Sequence, residues 1–250
     1  MTPAELRESR YEVRDGVAWV TLDRPEKLNA FTSRLYDELR WGVRFGWDDD
    51  DVDVIVITGS GRAFATGGDL EEVLARLESG DDLSMHAFFD ALPWTTIRSC
   101  PKVVIAAVNG AAYAGGCITA ACADISIVAA SARLALTEGV VGIADAFAPA
   151  LLLNRVGAAR LKYLLLTGTP IGAEEAARIG LVTECIPDER LFDRVAEVIA
   201  EVRRVTPTAR RLYKHYVDNL VPFPADHGGW ESFTSPEVKA AIRRFTERGS

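Results

Sequence analysis

Two glycine pairs stand where backbone amides can do chemistry. Gly67-Gly68 closes the run TGSGRAFATGGDL over residues 58–70, which follows an apolar stretch and opens a helical pattern. The first N–H groups of a helix have no intrahelical acceptor and point outward. Gly115-Gly116 sits in the same way within VNGAAYAGGCI, residues 108–118. Two such amides brought to one point make an oxyanion hole, in which losing one donor costs about 3–4 kcal/mol of transition-state stabilisation. Glycines that only permit tight turns produce the same spacing, so spacing alone leaves both readings open. A dinucleotide fingerprint does not fit, because counting from Gly59 and Gly61 puts its third glycine at Phe64.

Other reactive residue types carry less. Cys100, Cys117, Cys122 and Cys185 show no C-x-x-C pair and no histidine at zinc spacing, so no metal site is expected and each reads as a small buried hydrophobe. Among the three histidines, His86 lies between the two glycine turns but in no catalytic pattern; His215 and His227 show none either. Phe88, Phe89, Leu92 and Trp94 read as pocket or core lining.

Positioning the glycine turns requires a scaffold, and the hydropathy pattern supplies one. Val54 to Ile57, Val103 to Val108 and Ile125 to Val128 are short, continuous, β-branched runs, as expected of strands covered on both faces of a parallel sheet. Val17 to Leu22 reads as a further strand. Helical patterns cover Thr32 to Phe45, Leu70 to Leu77 and Leu83 to Arg98. The alternation implies an α/β core over residues 1–200. From Ala146 onward the pattern is mostly helical, with one strand expected at Val182 to Ile186. Thr206-Pro207 and Ser235-Pro236 read as N-caps followed by proline in the first turn. Residues 201–250 thus form a helical region whose apolar faces (Leu212, Tyr216; Val238, Ile242, Phe245) are available to cover a neighbour or a substrate mouth.

With 250 residues, 48% of them hydrophobic, the chain has ample material for a core. A net charge of −8 argues against nucleic acid or an anionic membrane as partner, but leaves room for a locally held phosphate. No apolar run approaches the roughly 18 residues of a membrane span, and the charged N-terminus is unlike a signal peptide. A cytoplasmic, reduced setting is expected.

Taken together, the motifs VIVITGSGRAFATGGDL, KVVIAAVNGAAYAGGC and ADISIV closely resemble the crotonase (enoyl-CoA hydratase/isomerase) superfamily. The resemblance extends upstream to LDRPEKLNAF and downstream through residues 164–182, and so covers essentially the whole chain. It implies a spiral of ββα units with a C-terminal helical region, an acyl-CoA substrate, no cofactor beyond the coenzyme A moiety, and homotrimers or hexamers built as dimers of trimers. It further implies that Gly68 and Gly115 carry the oxyanion amides. By the same resemblance, Lys27, Leu28, Ala30, Ala63, Phe64, Ala65, Thr66, Asp69 and Leu70 contact coenzyme A, and Tyr113 faces the acyl group. The basic residues Lys239, Arg243, Arg244 and Arg248 read chiefly as a solvated face.

The reaction depends on which residues move protons. Hydratases of this superfamily use two glutamates; the first position falls on Ile118, which can neither take nor give a proton. The second is kept at Glu138, fourteen residues after Asp124, among apolar neighbours that raise a carboxyl pKa and improve a base. This resembles the single-glutamate enoyl-CoA isomerases, which shift a 3-enoyl double bond to the 2-position through an enolate. Asp145 is a complication: related dienoyl-CoA isomerases and dehalogenases place a functional aspartate near this point, yet it also suits a helix N-cap. Single-glutamate hydration, Asp145-assisted hydrolysis or dehalogenation, and acyl-CoA binding without turnover remain the alternatives.

Overall fold

The computed structural model describes residues 1–79, 92–220 and 236–248. Its main sheet has the order β1 (Ser9–Arg14), β2 (Val17–Leu22), β3 (Val54–Gly59), β5 (Val103–Val108), β7 (Ile125–Ala129) and β10 (Glu184–Ile186). β1 runs antiparallel to β2, and every other neighbouring pair is parallel. The continuous apolar runs arise because this sheet is covered on both faces. Ile55, Ile57, Val104 and Ala106 enter one core with α1 (Ser33–Asp48), through Leu35, Leu39 and Val43. Val54, Val56, Ile105 and Ala107 point the other way, onto Leu191, Val195 and Ile199 of α8 (Leu191–Arg203). Side chains alternate across a strand, so a run buried on both faces must be apolar at every position.

A second sheet was not legible as strands. It consists of β4 (Ala63–Ala65), β6 (Ala111–Tyr113), β8 (Arg133–Ala135) and β9 (Ile171–Gly172), in that order. The first three run parallel and β9 antiparallel. Three of the long strands, β3, β5 and β7, are each followed by one of these short ones and then by helical structure. β3–β4 leads to α2 (Leu70–Ser79), and β5–β6 leads to α4 (Gly115–Cys122). β7–β8 leads to a 3-10 turn at Glu138–Val141 and then α5 (Phe147–Val156). This repeat is the spiral of ββα units that the sequence resemblance implies. The glycine turns thus leave the small sheet rather than the buried strands of the main one.

Of the two predicted N-caps, Thr206 is present and Ser235 lies outside the described residues, and some predicted elements have shifted ends. Thr32 accepts the Leu35 N–H at 3.0 Å ahead of α1, and Thr206 accepts the Ala209 N–H at 3.4 Å ahead of α9 (Pro207–Asp218). The strand expected at Val182 to Ile186 begins only at Glu184. Of the helix expected at Leu83 to Arg98, the described part is α3 (Trp94–Ser99); His86, Phe88 and Phe89, like His227, lie outside the described residues. Between α5 and α8 run α6 (Ala158–Thr167) and α7 (Ala173–Arg178). The last helix, α10 (Pro236–Arg248), joins the main core through Val238 and Ile242, both fully buried. Its Arg243 pairs with Glu78 at the end of α2. Among the described residues no helix is long and apolar enough to cross a membrane.

Candidate active site

The parallel register of the small sheet brings the site together. Ala63 pairs with Ala111 and Ala112 with Leu134, so β4, β6 and β8 end side by side. The chain leaving β4 delivers Gly68, the chain leaving β6 delivers Gly115, and the chain leaving β8 delivers Glu138. All three line one cavity of about 660 Å³. Among the described residues, neither the Gly68 nor the Gly115 N–H donates to a protein acceptor. Gly68 is flanked by an isolated bridge: the Phe31 N–H donates to the Gly67 carbonyl at 2.7 Å, and the Asp69 N–H donates to the Phe31 carbonyl at 2.8 Å.

The two turns touch directly. Gly67 has φ +90°, and a Cβ there would lie 2.7 Å from the Cβ of Ala114. Ala114 itself adopts φ 48° and ψ −124°, a conformation that costs a non-glycine residue roughly 1–3 kcal/mol and recurs at functional sites. It is held by its N–H, which donates to the Ala135 carbonyl at 2.8 Å, and Gly115 directly after it lines the cavity.

Glu138 is part-buried between Thr137 and Val140 at the cavity wall. Burial, then the neighbouring Asp145 charge, pushes its carboxyl up to about 8. Asp145 lines the same cavity and is likewise raised by burial. Its two oxygens accept the Phe147 N–H at 3.0 Å and the Ala148 N–H at 2.7 Å, so it caps the start of α5. Both readings of Asp145 therefore describe the same carboxylate: it is a helix cap that faces the cavity. Ile118 is fully buried inside the core and does not reach the cavity.

The expected coenzyme A contacts divide into two groups. Lys27, Leu28, Ala30, Thr66, Asp69, Leu70 and Tyr113 line the cavity. Ala63, Phe64 and Ala65 do not; as β4 they are fully buried and support the turn from behind, because a strand paired on the small sheet and packed on the core has no free face. Asp69 is already engaged. Its Oδ2 accepts both Arg24 Nη groups at 3.1 Å, and its Oδ1 accepts the Glu71 N–H at 3.2 Å at the start of α2. Lys27 reaches Glu71 at 3.2 Å from an exposed position.

Sequence reasoning missed Arg24 and the structural role of Asn29. Asn29 is fully buried at φ 55°. Its amide donates to the Ser60 and Ala63 carbonyls at 2.9 and 2.8 Å, tying the 28–30 turn to the strand before Gly68. A left-handed backbone suits asparagine, which is the only signal a sequence could have offered. Phe245 and Thr246 of α10 also line the cavity, so this helix covers the site of its own chain. Burial raises the thiols of Cys117 and Cys122, the latter to about 12, as expected of inert packing cysteines. No cluster of three or more metal-ligating side chains occurs among the described residues.

A family model described as enoyl-CoA hydratase/isomerase matches residues 12–228. The chain belongs to the enoyl-CoA hydratase/isomerase family. A probable enoyl-CoA hydratase of Rhodobacter capsulatus is 39% identical over 180 residues, covering 72% of this chain and 68% of that protein. A trans-2-decenoyl-[acyl-carrier-protein] isomerase of Streptococcus mutans is 26% identical, over 98% of this chain and 97% of its own. Among solved structures, an enoyl-CoA hydratase/isomerase from Mycobacterium paratuberculosis is 27% identical and superposes with a TM-score of 0.83, over 95% of this chain and 98% of that one. This member of the family is thus an enzyme of the crotonase superfamily, and several of its relatives are named as enoyl-CoA hydratases.

Proposed function

We propose that this family member isomerises 3-enoyl-CoA thioesters to 2-enoyl-CoA thioesters through an enolate. The observation that carries the reading is the pairing of one basic glutamate, Glu138, with two amides that lack protein acceptors, Gly68 and Gly115, while the position of a second glutamate is filled by the buried Ile118. Glu138 takes a proton from C2, the dienolate oxygen rests on the two amides, and Glu138 returns the proton to C4. One carboxyl group balances both transfers. Preorganised amides cost no reorganisation as the negative charge grows on oxygen. Lys27, Leu28, Ala30, Thr66, Leu70 and Tyr113 would contact the coenzyme A thioester, with Leu92, Trp94 and Phe147 around the acyl group.

Hydration is the second reading, favoured by the names of several relatives and by the Asp145 carboxylate in the same cavity. Against it, both Asp145 oxygens accept α5 N–H groups, bonds that stabilise the carboxylate and lower its basicity. Incubation with 3-hexenoyl-CoA and 2-hexenoyl-CoA, with products resolved by chromatography and mass, separates the outcomes. Isomerisation conserves mass, hydration adds one water, hydrolysis releases free coenzyme A, and a binding protein leaves both unchanged. Glu138→Gln should lower isomerisation by about 10²–10⁴-fold, the range expected for loss of a general base. A variant with near-normal turnover removes Glu138 from the mechanism.

A further inference from the structure

One segment touches both glycine turns. At its start Phe31 is hydrogen-bonded on either side of Gly68. One helical turn later, in α1, the Tyr36 hydroxyl lies 2.5 Å from the place a Cβ on Gly115 would occupy. That hydroxyl is therefore beside the Cα that carries the Gly115 amide. The phenol ring is fixed in place. It stacks on Phe31 with 4.3 Å between centroids and 8° between planes, and meets the edge of Trp94 at 6.3 Å. Trp94 donates from Nε1 to the Thr119 hydroxyl at 3.1 Å, and that hydroxyl donates to the Gly115 carbonyl at 2.7 Å. Ring wall and amide thus belong to one hydrogen-bonded unit. Although nearly buried, Tyr36 lines the cavity together with Gly68, Gly115, Glu138 and Asp145. Burial, with the Glu138 and Asp145 carboxylates facing it, pushes the phenol above its ordinary range, so it remains a protonated donor where Glu138 ionises.

We infer that Tyr36 is a further catalytic residue, its phenolic O–H serving as a third hydrogen-bond donor to the thioester oxygen held by the Gly68 and Gly115 amides. The inference rests on the enolate reading of the preceding section but not on what the enolate becomes. No proton is transferred from the phenol. The hydrogen bond strengthens as charge moves onto the oxygen, so it acts on the rate more than on ground-state binding.

The test uses exchange of the C2 hydrogens of hexanoyl-CoA with D2O, which reports enolate formation whatever follows it. Tyr36→Phe, which removes only the hydroxyl, should slow exchange by about 10²-fold and leave the Kd of hexanoyl-CoA within about threefold. A fall of less than about fivefold overturns the inference. Gly115→Ala and the double variant Tyr36→Phe/Gly115→Ala test the placement itself. The new methyl meets the hydroxyl in the first and only ring carbons at ordinary contact distance, Tyr36 Cζ and Trp94 Cζ2 both at 3.6 Å, in the second, so the double variant should melt higher than Gly115→Ala. A double variant that melts no higher contradicts the placement and overturns the inference. If wild type exchanges C2 hydrogens and Tyr36→Phe matches it, the inference alone fails. If wild type neither exchanges C2 hydrogens nor isomerises 3-hexenoyl-CoA, the enolate reading fails and takes the inference with it; if it isomerises without exchange, the same 10²-fold loss in Tyr36→Phe, about as large as for one oxyanion donor, is read in the isomerisation rate.

Discussion

Glu138 sits where burial and function pull on the same proton. Its carboxyl titrates near 8 in the folded chain, against an ordinary value of 4.5, because burial and then the charge of Asp145 both disfavour the anion. As a base it must be ionised, so kcat/KM should rise with pH and level off above about 8. The stability consequence has the opposite sign. Between 4.5 and about 8 the folded state holds a proton that the unfolded state has released, so unfolding free energy falls as pH rises through that window. Glu138→Gln should flatten this slope, and denaturant titrations at several pH values would show it. Asp145→Asn removes the charge that faces Glu138, so the rising limb of the rate profile should move to lower pH. The same change weakens the α5 cap, at a cost of about 0.5–2 kcal/mol or less. An unmoved limb would show that Asp145 does not tune Glu138.

At the scale of elements, the site depends on the contact between two turns rather than on any one of them. Gly67 permits that contact by its positive φ and by leaving room for the Ala114 methyl. Gly67→Ala would add a Cβ in a left-handed backbone and against Ala114 at once, parting the two amides. We expect about 1–3 kcal/mol of lost stability and a fall in C2 exchange well beyond what that loss explains under conditions where the variant is fully folded. A variant with wild-type exchange would mean the amides do not need this spacing. The short strands β4, β6 and β8 set the order of the site along one edge, and Asn29 and Arg24 fasten the 24–30 turn against it. α9 has a different part. It has no buried residue, yet its Lys214 pairs with Asp124 at 2.8 Å and with the Ile97 and Lys102 carbonyls at 3.3 Å.

For the molecule as a whole, the surface carries apolar groups that the described residues do not cover. On and just after α9, Tyr213, Tyr216, Val217 and Leu220 are largely exposed, and so is Leu166 on α6. Tyr213, Tyr216, Val217 and Leu220 recur at helical spacing on one face, and exposed apolar faces of this kind are expected at association surfaces. Equilibrium sedimentation should give three or six times the 27.2 kDa chain mass, and Tyr216→Glu with Leu220→Glu should lower it. A monomer in wild type would remove that expectation. On its C-terminal side the site is lined by Phe245 and Thr246 of the same chain.

The boundary between what could be read early and what could not follows from the range of the interactions involved. The main sheet was legible because continuous β-branched runs are a local signature of burial on both faces, and the Thr206 cap was legible because capping is settled within three residues. The small sheet was not. Ala63–Ala65 and Ala111–Tyr113 have no strand composition, and they pair only because longer strands carry them together. Family resemblance singled out Gly68, Gly115 and Glu138, but only the register of β4, β6 and β8 places them on one cavity. Tyr36 was indistinguishable from the apolar stripe of its helix, where Leu35, Leu39 and Val43 are core. Its place beside Gly115 is a contact across 79 residues of chain. Ala63 to Ala65 were read as ligand contacts for the converse reason: a motif marks a segment, while burial decides which of its residues can touch anything. From the sequence alone came the scaffold, the unpaired glycine amides as candidates and the loss of one glutamate at Ile118; the convergence of three strand ends and the donor set around them were decided by tertiary packing, because no local rule relates residues that meet only when the spiral closes.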